Sequence, residues 1–215
     1  MKKIKIIVDI MMYIIFIILM GHHITDNLIH EILGISIFIL FIIHGILNYR
    51  YYKTIFKGKY NKKRTIILIT NILLLISMLC MIISAINISS DIFKFLNISP
   101  KIWGRKLHML STSWGFIFMS VHVGLHLNIL INKLNKKLNK YIYYLLVIIM
   151  ITYGIYSFIK LNLISDMFLL NPFKYYNFNE QPIIYYLNVI SVSLGIGLII
   201  NLINKKKEGK KWIKK

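Results

Sequence analysis

The chain reads as an all-α integral membrane protein of six transmembrane helices, four forming a core and two following as a C-terminal hairpin. Three observations predict this. Of the 215 residues, 57% are hydrophobic and 16% charged, against about 25% charged in an ordinary soluble domain. Six apolar windows recur along the chain, each close to the roughly 20 residues a helix needs to cross a bilayer. The cations collect in alternate connecting segments, the pattern that orients a multi-pass protein.

The spans fall at 5–21, 28–49, 65–87, 107–131, 141–162 and 182–203. The first follows Lys2, Lys3 and Lys5, but Leu19-Met20-Gly21-His22-His23 offers no small-x-small cleavage site. It therefore reads as a retained helix and not a signal peptide. The resulting organisation is a four-helix core over 1–131, a two-helix hairpin with an aromatic outer loop over 132–203, and a basic tail over 204–215. Of the 27 Lys and Arg, three lie at the N-terminus, seven in 50–64, four in 132–140 and seven from Asn204 onward. The alternate connections hold none in 22–27, four in 88–106 and one in 163–181. Both termini are accordingly expected in the cytoplasm. The formal charge of +20 is a topology signal and not a nucleic-acid footprint.

Several chemistries are excluded. Cys80 is the only cysteine and sits in an apolar run, which removes a disulfide framework, a Cys-rich zinc site and any C-x-x-C-H attachment. No Walker loop, G-x-G-x-x-G or G-x-S-x-G occurs, and His30-Glu31 lacks the second histidine of a zincin.

The seven histidines carry the functional signal. They stand at 22, 23, 30, 44, 108, 122 and 126, and the spans at 65–87, 141–162 and 182–203 have none. His30 and His44 are 14 residues apart, as are His108 and His122. Fourteen helical steps return to within about 40° of the same face and rise about 21 Å. The second and fourth spans run parallel, so His30 should face His108 at the outer level and His44 should face His122 at the inner level. Two imidazoles approaching a planar apolar group from opposite sides are the ligand set of haem b, which needs no thiol. Two haems b stacked through the membrane would make an electron path. Gly34, one turn after His30, and Gly115, midway between His108 and His122, clear volume on the same faces; helix packing is the competing reading of Gly115.

His126, one turn beyond His122, is an alternative inner ligand or a neighbour on the propionate or quinone side. His22 and His23 read as solvated interface residues. Arg105 with Lys101 and Lys106 outside, and Arg50 with Lys53 inside, are placed to meet haem propionates, or else are ordinary snorkelling charges. Glu31 reads as a negative group in a helix first turn. Asp9 lies one turn inside the first span, where an ion pair with Lys5 or a proton-handling role beside a quinone would account for it. Tyr175, Tyr176 and Phe178 make the outer loop aromatic, as membrane interfaces often are.

These residues carry a resemblance. The segment His30-Glu31-Ile32-Leu33-Gly34 through His44 and Asn48, then Phe56-Lys57-Gly58-Lys59-Tyr60, resembles the flavinylation-associated cytochrome family. So do Leu107-His108-Met109-Leu110, Trp114-Gly115-Phe116, Ser120-Val121-His122-Val123-Gly124-Leu125-His126, Tyr153-Gly154-Ile155-Tyr156, Lys160 and Asp9. The resemblance covers nearly the whole chain. It implies a cytochrome b-like core carrying two haems b, with His30, His44, His108 and His122 as ligands and His126 in the same motif. It further implies electron transfer across the cytoplasmic membrane between a quinone and an extracytosolic flavoprotein. The competing classes are a membrane protein whose histidines bind or transport a transition metal, and a haem-free anchor.

Overall fold

The computed structural model describes residues 2–127, 139–171, 176–177 and 179–212. Among them there are eight α-helices, one short 3-10 turn and no strand. The helices are α1 (Lys2–Leu19), α2 (Asn27–Leu47), α3 (Tyr49–Thr54), α4 (Lys62–Ile88), α5 (Ile102–His126), α6 (Lys140–Lys160), α7 (Leu163–Met167) and α8 (Pro182–Trp212). Residues 128–131 of the fourth expected span, the basic loop 132–138, Lys174, Tyr175, Phe178 and residues 213–215 lie outside the described residues.

Helices occupy all six expected places. Four of them, Asn27–Leu47, Lys62–Ile88, Tyr141–Lys160 and Pro182–Ile203, are long and apolar enough to cross a membrane, which makes this a multi-pass membrane protein. The other two carry charged or polar side chains within their span. α1 carries Lys2, Lys3, Lys5 and Asp9, and α5 carries Arg105, Lys106 and three histidines among its serines.

Boundaries follow local chemistry. The Asn61 side chain caps α4 by accepting from the Arg64 backbone N–H at 2.9 Å, and Asn139 caps α6 by accepting from Tyr141 at 2.9 Å. The second expected span ends earlier than its apolar run, because Asn48 interrupts the helix and α3 restarts beyond it. α5 starts directly after Pro100-Lys101, five residues before its apolar window, a place where proline cannot extend a preceding helix.

α5 is the central element, packed along α4 on one side and α8 on the other, while α8 also packs on α6 and α1 lies along α2. The buried core draws Phe16 and Ile17 from α1 and Met20 from the turn after it, Phe116 and Met119 from α5, and Tyr185, Val189 and Val192 from α8. The α5–α8 and α6–α8 contacts depend on missing side chains. A Cβ on Gly124 would come within 2.6 Å of Gly197 Cα, and one on Gly154 within 2.6 Å of the Ser191 carbonyl oxygen. These are small-residue contacts of the kind that let membrane helices approach closely.

α2 is the exception. Its only fully buried side chain is Ile37, and Ile29, Ile32, Ile39, Ile43 and Ile46 form an exposed apolar stripe at helical spacing suited to lipid. It packs on α1, touches α4 slightly and does not pack side by side with α5. What faces α5 across that separation is a set of imidazoles.

Candidate functional site

Both expected cross-helix pairs form between α2 and α5. The His30 and His108 ring centres are 6.3 Å apart, and those of His44 and His122 are 6.5 Å apart. Two imidazoles bound in trans to one metal, each by a bond of about 2 Å with its ring centre about 1.1 Å further back, have centres about 6.2 Å apart. The imidazoles that flank each pair sit closer: His22 lies 4.7 Å from His30, and His126 lies 4.8 Å from His122. The ring planes within the pairs are inclined at 69° and 74°, which trans ligation permits because each ring turns freely about its metal bond. The residues therefore fit a haem iron at each level.

The outward ring nitrogens fit the same reading. Asp9 Oδ1 lies 2.7 Å from His44 Nδ1, and Asn71 Oδ1 lies 2.8 Å from His122 Nδ1. The Ser84 hydroxyl is 3.1 Å from His108 Nδ1 and directs its own proton to the carbonyls of Cys80 at 2.7 Å and Met81 at 2.9 Å, leaving its oxygen to accept. An acceptor at Nδ1 holds the proton there and leaves Nε2 as the ligating nitrogen. His30 Nδ1 is buried and has no hydrogen-bond partner among the described residues. Asn48 edges the inner ring, its amide donating to the His44 carbonyl at 3.0 Å and lying 3.4 Å from Nε2.

The antiparallel register of α4 on α5 explains the two partners from α4. The alignment that sets Asn71 opposite His122 sets Ser84 opposite His108. Neither stood out in the sequence, though a polar residue at each histidine level of a neighbouring span was the signal available. Asp9 differs from its expected pairing. It accepts from His44, while Lys5 donates to Asn48 Oδ1 at 3.0 Å.

The other candidates are distributed as follows. His126 is exposed and its ring lies 4.8 Å from that of His122, inclined at 50°, and it is His122 that faces His44. A Cβ on Gly34 would meet open space, whereas one on Gly115 would meet Met81 at 3.0 Å and Ser77 at 3.4 Å, so Gly115 seats α5 on α4. Arg50, Arg105, Lys101 and Lys106 are exposed at the ends of the helices that carry the pairs. His23 corrects the expectation of a solvated residue, since its ring stacks on Tyr176 at 4.1 Å and meets the Tyr185 edge at 4.6 Å. Aromatic rings from two distant segments closed over it, which spacing cannot show. Those rings, with Met20, Phe116 and Leu163, line an outer cavity of about 140 Å³. Burial and the nearby Asp166 charge push the Tyr176 phenol up to about 12, so it stays protonated.

Glu31 does more than sit in a first turn. Its carboxylate accepts from the Ser89 hydroxyl at 2.6 Å and from the backbone N–H groups of Ser90 at 2.9 Å and Ile92 at 2.7 Å, and Asn27 donates to it at 3.1 Å. It therefore ties α2 to the loop after α4 at the outer level. Glu31→Ala leaves four donors of that loop, the Ser89 hydroxyl and the Ser90, Asp91 and Ile92 N–H groups, without their acceptor, at a cost of about 1–3 kcal/mol. Hydrogen exchange across residues 89–97 should rise selectively; unchanged protection there would show that the carboxylate does not hold the loop.

No protein-family model, curated protein or solved structure matches this chain.

Proposed function

We propose that this chain is a six-span, dihaem b-type cytochrome of the flavinylation-associated kind, with both termini cytoplasmic, passing electrons between a membrane quinone and an extracytosolic flavoprotein. The observation that carries this reading is the separation of 6.3 and 6.5 Å in two imidazole pairs at opposite ends of the same two helices. A haem b at each level supplies a one-electron iron couple in a setting of low dielectric.

The chain's own residues supply the rest. His30 with His108 and His44 with His122 bind from opposite sides, while Asp9, Asn71 and Ser84 orient three of the four rings through Nδ1. The isoleucine stripe of α2 lets lipid exclude water from the outer wall of the site. Arg105 and Arg50, exposed at the outer and inner ends, neutralise carboxylates presented there. The metal-binding alternative is less well supported, since among the described residues no three His, Cys, Asp or Glu side chains converge to hold an ion.

The decisive measurement is the pyridine haemochrome spectrum of protein purified in detergent from haem-replete cells. It should report haem b at about two per chain. A well-folded, haem-free protein carrying a stoichiometric transition metal would overturn the reading in favour of transport or metal binding.

A further inference from the structure

The two imidazole pairs have unlike surroundings. At the inner level the His44 Nδ1–H meets a carboxylate, Asp9, at 2.7 Å, and the His122 Nδ1–H meets the amide oxygen of Asn71 at 2.8 Å. At the outer level the His108 Nδ1 lies 3.1 Å from the Ser84 hydroxyl, a neutral group, and His30 Nδ1 has no hydrogen bond among the described residues. An anionic acceptor pulls on the ring proton and makes the opposite nitrogen a stronger electron donor, which favours the higher oxidation state of a bound iron. A neutral hydroxyl does this weakly and an unbonded nitrogen does not do it at all.

We propose that Asp9 is a positioning residue which, through His44, makes the inner site the lower-potential site of the two. The inference rests on the dihaem reading. With haem b held at both levels, one-electron transfer from the inner to the outer site would be downhill and would require no proton.

The other charges at each level leave this asymmetry in place. Cations stand at both surfaces, with Lys5, Arg50, Lys53 and Lys63 inside and Lys101, Arg105 and Lys106 outside, and Lys5 reaches the inner pair through Asn48. Glu31 is the outer anion nearest a ligand, but its oxygens turn to the 89–92 loop. Asp9 is half-exposed, at 51% for its side chain. Solvent screens its field at a distance, yet the direct hydrogen bond to His44 persists.

The test is an optical redox titration of the detergent-purified protein in four forms: wild type, Asp9→Asn, Asp9→Glu and Ser84→Ala. His44→Ala and His30→Ala identify which spectral component belongs to which level. In the wild type the component lost with His44 should titrate at the lower potential. Asp9→Asn should keep full haem content and raise that component alone, Asp9→Glu should return it toward the wild-type value, and Ser84→Ala should leave it in place. An inner component that titrates above the outer one in wild type overturns the proposal, as does an Asp9→Asn protein with unmoved potentials or a shift in the outer component. If Asp9→Asn does not assemble, the wild-type order and the Asp9→Glu titration decide. A wild-type protein without haem defeats the dihaem reading itself, a different outcome from two haems with the wrong order.

Discussion

His44→Ala is expected to reduce haem b from about two per chain to about one, deleting one spectral component and sparing the other. The change removes one ring of the inner pair while leaving His30 and His108, at the far end of the same helices, 6.3 Å apart. His30→Ala should delete the other component instead. His126→Ala is the control within the same motif: its ring lies beside His122 at 4.8 Å and is exposed, so both components should survive. Loss of the inner component in His126→Ala together with its retention in His122→Ala would reassign the inner ligand. Reduced haem in every variant alike would mean that the substitutions act on folding, and thermal unfolding of each variant checks this.

Gly124→Leu should be the most damaging change away from the histidines. Its new Cβ would fall within 2.6 Å of Gly197 Cα and 2.7 Å of the Gly197 carbonyl oxygen, both backbone atoms that no rotamer change can move. α5 and α8 must separate, which costs about 3 kcal/mol or more. Because α5 carries one ring of each pair, both haem components should decline together, unlike the one-at-a-time pattern of the ligand variants. Gly34→Ala is the contrast: a Cβ there meets nothing within 4 Å, and stability should be near that of the wild type. Equal melting temperatures for Gly124→Leu and wild type would show that the close approach is not required.

Much of this was legible in the chain. Apolar windows of helical length predicted all six long helices, and matched 14-residue intervals on two of them predicted which rings would face one another. That succeeds because a helix has a fixed pitch: spacing along it becomes position on a face and depth in the membrane. The helix ends were less legible. α2 stops at Asn48 and α5 begins at Ile102 because of local capping and proline chemistry that an apolar window averages away.

The partners of each ring were decided only by the fold. Asp9 is one turn from Lys5 in sequence, yet the placement of α1 against α2 brings it to His44, while Lys5 reaches Asn48. Asn71 and Ser84 acquire their roles from the register of α4 on α5, and His23 from two tyrosines of the closing outer segments. Periodicity determines what one helix presents along its own length, so the sequence by itself established the long helices, the two levels and the paired imidazoles. Which neighbour meets each ring depends on the offset and rotation between helices. Those are set by close contacts such as Gly124 on Gly197, where the absence of side chains lets two backbones touch, and only the packed structure contains them.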